Sequence, residues 1–460
     1  MTETGAVEAD RDFGAAFVIH VAFAGDLRQR TAEARLEEAV GLAAAIDLDV
    51  RKAEVATVVN PRPSTLIGGG KVEAIRKALD AERPRPALVI IDAALTPVQH
   101  RNLEKELDAK VLDRTALILE IFGERARTAE GRLQVDLAHL TYQKSRLVRS
   151  WTHLERQRGG RGFLGGPGER QIESDRRAIQ NQIDRLKERL EQVRRTRTLQ
   201  REKRKKAPHP VVALVGYTNA GKSTLFNLLS RSEVIARDQL FATLDPTMRA
   251  VDLPSGQRII LSDTVGFISD LPTQLVAAFR ATLEEVNEAD LILHVRDVAH
   301  EDSDAQRKDV IDVLCQLGID SSDGRPVIEV LNKIDLLGED ERLALLAASR
   351  AASPDAPMSI DEPARLAISA VTGDGVDALC GFIDAVLTVN RETYDVFIDG
   401  ADGAAIAWLH SHGDVKAENE QNGRVSMRVR LDEKSAGQFR KFHPSIALEQ
   451  EIPSSDRGAA

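Results

Sequence analysis

Few residues here suit a secreted, disulfide-bonded or metal-bound protein. There are 2 cysteines in 460 residues, Cys315 and Cys380. They match no zinc or haem spacing and cannot build a disulfide framework, which favours a reducing compartment. Aromatics make up only 4% of the chain, so its cores must rest on Leu, Val, Ile and Ala. No run approaches the ~20 apolar residues of a membrane span. The start, MTETGAVEADRDFG, is acidic and has no apolar segment of the signal-peptide kind. His20, His139, His153, His294 and the other histidines show no metal-ligand spacing. No Ser-His-Asp or Cys-His pairing can be argued. The expectation is a cytoplasmic, monomeric protein without a transmembrane segment.

What is present points to several domains, because 460 residues exceed one core. Apolar content of 42% and charge of 29% are ordinary for a globular chain. The net charge of −10 is uneven: from Thr141 to Lys206, 20 Lys and Arg face 8 Asp and Glu. An acidic protein with one basic arm is suited to hold a polyanion through that arm.

Residues 1–130 alternate strand-like and helix-like segments, as a small parallel α/β domain should. PALVIIDAAL is a near-continuous apolar run, the pattern of a strand covered on both faces. TPVQHRNLEKEL places Thr96 at a helix N-cap and Pro97 at the first helical position. Residues 131–206 read as two long helices joined by a glycine-rich break, the second starting near Arg170. Ile179, Ile183, Leu186, Leu190 and Val193 form a coiled-coil seam on it, so the pair reads as an antiparallel hairpin. REKRKKAPHP reads as a basic, proline-ended linker. Residues 207–392 alternate β and α again. Residues 393–460 read as strand, helix, strand and helix, a small α+β unit with a disordered tail.

The chemistry lies in the third segment. VVALVGYTNAGKSTLFNLL is an apolar strand, a Gly216-x-x-x-x-Gly221-Lys222-Ser223 loop and a helix. Such a loop wraps phosphates with the backbone N–H groups of Tyr217, Thr218, Asn219 and Ala220, and adds the helix N-terminus. Lys222 should reach the β- and γ-phosphates, and Ser223 should ligate Mg²⁺. Asp263 ends the strand RIILSD, where it can fix the magnesium shell; Thr264 and Val265 lead to Gly266, whose N–H can meet the γ-phosphate. Asn332-Lys333-Ile334-Asp335 follows at the end of VIEVLNKID. A carboxylate at Asp335 can accept from guanine N1 and N2, and adenine has neither donor. Ser369-Ala370-Val371 can offer N–H groups to guanine O6. Together, in this order, the motifs predict a GTPase with GTP or GDP as ligand and Mg²⁺ as cofactor. LFATLDPTMR holds two threonines, Thr243 and Thr247, that could close over the metal; spacing does not choose between them.

FATLDPT at 241–247, DTVGFI at 263–268 and GFLGGPGERQIESDRR at 162–177 together resemble the HflX-type ribosome-associated GTPases. The order of an N-terminal domain, a helical hairpin and a GTPase domain is also theirs. The resemblance covers roughly residues 15–390. It implies a P-loop GTPase domain with a doubly wound, mostly parallel sheet. A small parallel α/β domain and a long antiparallel hairpin should precede it; the small α+β domain that follows is read from the residues alone. By matching motif it makes Thr243 the switch threonine on Mg²⁺, and Phe241, Ala242, Leu244 and Asp245 the rest of the switch segment. It implies a partner, the large ribosomal subunit, and a role in splitting or rescuing ribosomes under stress. An asparagine at the place of Asn219 holds a potassium ion in related GTPases.

Residues 159–168, GGRGFLGGPG, hold six glycines among arginines. Glycines permit close approach to a crowded surface, arginines meet phosphates, and Phe163 could stack on a base. Ribosomal RNA bound through residues 141–206 is the expectation. Phe267 follows Gly266 where many nucleotide switches carry a water-orienting glutamine. Slow hydrolysis by the protein alone, stimulated by ribosomes, is therefore expected. Two other readings exist: an ATP-using nucleic-acid remodeller with a second phosphate site at LIGGGKVEAI, residues 66–75, and a non-catalytic sensor of GTP and GDP. That stretch lacks a glycine five residues before Gly70, and Val72 follows its lysine.

Overall fold

The first alternation of strands and helices folds around four parallel strands. Chain order is β1 (Arg11–Phe23), α1 (Ala32–Ala44), β2 (Asp49–Val58), α2 (Gly69–Ala81), β3 (Arg85–Asp92), α3 (Pro97–Leu107), β4 (Lys110–Asp113) and α4 (Arg114–Arg125). The strands lie in the order β2-β1-β3-β4. This computed structural model describes residues 11–25, 30–157, 167–204, 209–231, 240–241, 243, 247–269, 285–320, 322–356, 358–389, 391–421 and 423–450. β3 is buried at every position but its first. Alternation sorts β1: Phe17, Ile19 and Val21 face α2 and α3, while Ala16 and Val18 face α1 and α4. Thr96 caps α3 as the sequence predicts, and Gln99 returns the bond in a capping box.

The basic arm is an antiparallel hairpin of α5 (Ala129–Gln157) and α6 (Pro167–Arg204). Of the predicted seam, Ile183 and Leu190 are buried, with Ile179, Leu186 and Val193 half-buried between turns. α6 starts at Pro167, earlier than expected, and runs through REKR of the supposed linker. Those residues are good helix formers with no proline before Pro208. The hairpin tip, 158–166, and residues 205–208 lie outside the described residues.

The third unit begins with β5 (Val211–Gly216), α7 (Lys222–Ser230), β6 (Thr247–Asp252), β7 (Arg258–Asp263) and β8 (Leu291–Asp297). It continues through α8 (Ser303–Gln316), β9 (Val327–Asn332), α9 (Glu339–Arg350), β10 (Ala364–Ala367) and α10 (Val376–Val389). The sheet order is β10-β9-β8-β5-β7-β6. All pairs are parallel except the edge strand β6. Such a sheet gathers its functional loops at the carboxyl ends of the strands.

The last unit is β11 (Arg391–Asp399), α11 (Gly403–His412), β12 (Asp414–Gln421), β13 (Arg424–Asp432), α12 (Glu433–Phe442) and β14 (Leu448–Gln450). Its antiparallel order is β12-β13-β11-β14. The sequence reading lacked β12 and β14. No helix among the described residues is long and apolar enough to cross a membrane.

Candidate nucleotide site

The phosphate loop is shaped by close approach. A side chain at Gly216 would run into the Val295 carbonyl, and one at Gly221 into the Asn332 carboxamide. Gly221 (φ 90°) and Asn219 (φ 61°) are both left-handed. Lys222 is buried and donates to the Tyr217 carbonyl at 2.7 Å. Burial pushes its pKa down to about 8, with Asp263 opposing the shift. Ser223 Oγ donates to Asp263 Oδ2 at 2.8 Å, and Thr243 Oγ1 lies 2.9 Å from both. Of the two threonines that spacing left open, Thr243 bonds to this cluster; Thr247 opens β6. Asp263 Oδ1 is buried without a partner among the described residues, and burial raises this carboxyl's pKa. Two hydroxyls and a carboxylate with a spare oxygen form a hard donor set that fits Mg²⁺. Thr264 Oγ1 donates to the Leu214 carbonyl at 2.6 Å, and Val265 is buried. A Cβ on Gly266 would sit 2.8 Å from Thr218 Cγ2 and 3.0 Å from Lys222 Nζ, so this loop lies directly on the phosphate loop. Ala242, Leu244 and Asp245 lie outside the described residues.

Asn332 braces the other side of the candidate site. Its Nδ2 donates to the Ala220 carbonyl at 2.8 Å, and its Oδ1 accepts from Ala370 N at 3.0 Å. One carboxamide thus ties the phosphate loop to the segment after β10. Lys333 is left-handed, and its ammonium pairs with Asp297 at 2.8 Å. Ile334 is buried and bonds to the Ile368 carbonyl. Asp335 Oδ1 is buried with no partner among the described residues, a carboxylate with acceptor capacity in reserve for N–H donors. Ser369 is buried, its Oγ accepting from Thr372 N, while Val371 is 79% exposed. In the 66–75 stretch, Gly68 opens α2 and Lys71 pairs with Glu54 at 3.3 Å. Arg296 bonds Asp304 and the buried Glu329.

Sequence reasoning missed what Phe267 touches. It is 1% exposed and shares one apolar core with Tyr217, Phe241 and helices α1 and α4. Phe241 meets Phe122 edge to face at 4.7 Å. A buried polar clamp lies alongside. Tyr217 donates its hydroxyl to Glu38 and accepts from Ser269 N at 2.8 Å and Arg30 at 2.9 Å. Glu38 also holds Arg114, and pairs with Arg30 at 2.8 Å and Ser269 Oγ at 2.9 Å. Arg114 continues to Asp92 at 2.7 Å, and Asp92 to His20 at 2.6 Å. Burial pushes the Asp92 pKa up, but Arg114 and His20 outweigh it and hold the group at about 2. Arg114 and Arg30 likewise overcome burial to keep Glu38 below the usual carboxylate range. No local motif announces this clamp, since Glu38 and Ser269 are 231 residues apart.

A phosphate loop on a parallel sheet, an oxygen cluster beneath it and a spare carboxylate at the base define a P-loop GTPase. Family models match in chain order: GTP-binding GTPase N-terminal over 33–123, GTP-binding GTPase Middle Region over 125–204, 50S ribosome-binding GTPase over 211–333 and HflX C-terminal domain over 359–444. GTPase HflX of Magnetococcus marinus is 48% identical over 396 residues, covering 86% of this chain and 88% of the relative. GTPase HflX of Escherichia coli is 40% identical over 420 residues, covering 90% and 93%. The crystal structure of an SsGBP–GDP complex aligns with a TM-score of 0.47 at 24% identity, over 82% of this chain and 99% of the other. The chain belongs to the HflX GTPase family.

Proposed function

We propose that this protein is a cytoplasmic GTPase that works on the large ribosomal subunit, splitting or rescuing ribosomes under stress. The reading rests on one juxtaposition: a GTPase domain on the same chain as an arm whose residues 141–206 carry 20 Lys and Arg against 8 Asp and Glu. Counterion release from RNA phosphates favours such an arm on ribosomal RNA. The description of the matched family model, a 50S ribosome-binding GTPase, supports the same partner.

In the proposed chemistry Lys222 holds the β- and γ-phosphates, and the Gly266 N–H meets the γ-phosphate. Ser223 and Thr243 would ligate Mg²⁺, with Asp263 fixing its shell through water. When bound, the metal neutralises charge that develops on the transferring phosphoryl group. Asp335 selects guanine, and Ser369 to Val371 offer N–H groups to its O6. Asn219 would help hold a potassium ion. Phe267 cannot orient water, so hydrolysis by the free protein is slow. The test is GTP turnover with and without purified large subunits, beside Lys222→Ala. Strong stimulation that vanishes in the variant is expected. Unchanged turnover despite subunit binding would overturn the catalytic coupling.

A further inference from the structure

Phe267 raises the question of which side chain in the site can orient the attacking water. The neighbouring hydroxyls are engaged: Ser223 Oγ and Thr243 Oγ1 bond to Asp263 Oδ2, and Thr264 Oγ1 donates to the Leu214 carbonyl. The Thr218 hydroxyl differs. Thr218 is 6% exposed, and its Oγ1 is buried with no hydrogen-bond partner among the described residues. A buried hydroxyl without a partner disfavours the fold, and such exceptions call for a catalytic or ligand-binding reason.

Backbone bonds fix its place. Thr218 N donates to the Phe267 carbonyl at 2.7 Å, and Phe267 N to the Gly216 carbonyl at 3.1 Å, so the phosphate loop and the Gly266 segment are laced together across this residue. A Cβ on Gly266 would lie 2.8 Å from Thr218 Cγ2, 2.9 Å from Thr218 Cα and 3.0 Å from Lys222 Nζ. One point thus touches the Thr218 side chain, the glycine whose N–H is assigned to the γ-phosphate, and the lysine assigned to the β- and γ-phosphates. The Thr218 methyl takes the Gly266 side, and the hydroxyl branches from the same Cβ. Its neighbours in the loop turn elsewhere: Tyr217 bonds Glu38 and Arg30, and Asn219 is exposed.

We propose that the Thr218 hydroxyl orients the attacking water, the role that a glutamine after Gly266 fills in many nucleotide switches. Its oxygen accepts a hydrogen bond from the water and so aims a water lone pair at the γ-phosphorus. The water oxygen bonds to that phosphorus as the bond to the β–γ bridging oxygen breaks, and the electron pair of the broken bond leaves with GDP. One water proton stays on the new P–OH group, and the other passes to a phosphate oxygen. The hydroxyl keeps its own proton throughout. An alcohol that orients water without taking its proton agrees with the slow hydrolysis proposed for the free protein. This role rests on the catalytic reading above and is independent of the ribosomal one.

The test is single-turnover hydrolysis of GTP labelled at the γ-phosphate, with the full chain in excess. Affinity for a fluorescent GDP and the melting temperature are measured beside it. Thr218→Val keeps a methyl against Gly266 and removes only the hydroxyl. Its rate should fall about 10²-fold, with GDP affinity unchanged. Its melting temperature should be equal or higher, because a buried hydroxyl without a partner is gone. Thr218→Ser keeps the hydroxyl and should recover most of the rate. A rate in Thr218→Val within about threefold of the unchanged protein would overturn the role, since the hydroxyl would be idle. Equal losses in the valine and serine variants would overturn it too, because methyl packing would then be the cause. No turnover by the unchanged protein, alone or with large subunits, would instead overturn the catalytic reading on which the role rests.

Discussion

Glu38→Ala should loosen the segment after Gly266 more than any other single change on the N-terminal domain. Glu38 is the common partner of Arg114, Arg30, Tyr217 and Ser269. Removing it leaves two buried guanidinium groups with one carboxylate each, Asp92 for Arg114 and Asp302 for Arg30. Breaking a buried pair this way costs about 3–5 kcal/mol, which at ~1.4 kcal/mol per tenfold is on the order of 10²–10³ in a local opening equilibrium. Native-state hydrogen exchange reads that directly at the amides of Phe267 and Ser269, which bond to the Gly216 carbonyl and the Tyr217 hydroxyl. Both should exchange ~10²–10³ faster in the variant. Tyr217→Phe, which strands the Ser269 N–H and takes one partner each from Arg30 and Glu38, should cost about 1–3 kcal/mol.

The sign of the pH dependence follows. Glu38 and Asp92 both have folded pKa values below their unfolded ones, Asp92 at about 2. Their stabilisation is fully present above the unfolded carboxylate range and is lost as pH falls through the folded values. Protection at Ser269, corrected for intrinsic exchange, should be flat from neutral pH to about pH 5 and decline toward pH 2. An increase of less than about tenfold in exchange on Glu38→Ala would refute this account, because the clamp would then be incidental to the loop.

Other outcomes follow from single contacts. Asp335→Asn replaces a spare acceptor with a donor, so GTP affinity should fall by roughly 10²-fold or more while xanthosine triphosphate gains, read by competition binding. Gly266→Ala puts a Cβ 2.8 Å from Thr218 Cγ2, an overpacking of about 1–3 kcal/mol. Turnover should drop at least several-fold while GDP, which lacks the γ-phosphate, still binds in a filter assay. If Asn219 holds a cation, turnover in potassium should exceed that in sodium, and Asn219→Ala should erase the difference; equal rates in both salts remove this role.

The GTPase sheet was legible because its apolar runs, glycines and motifs are all local. The polar edge strand β12 was not. DVKAENEQ shows no apolar alternation, and its residues 416–421 are all exposed. It is a strand only because β13 supplies a ladder, and β14 is three residues long. α6 was placed too late because Gly168 masked a helix that starts at Pro167. Residue spacing left Thr243 and Thr247 open; the motif match singled out Thr243, and it is Thr243 whose hydroxyl bonds to Asp263.

Phe267 marks the deeper limit. From sequence it is a missing glutamine, a position defined by what it cannot do to water. In the fold its ring is spent elsewhere, buried in the apolar core to which α1 and α4 also contribute. Burying a phenylalanine contributes roughly 1.5–3 kcal/mol, enough to bias where this loop rests. A side chain here cannot both pack into the N-terminal domain and line the nucleotide site. The loop that carries Gly266 therefore shares an apolar core with the N-terminal domain through one ring and meets its Glu38 through Ser269. Whatever shifts that domain must move the loop that carries Gly266.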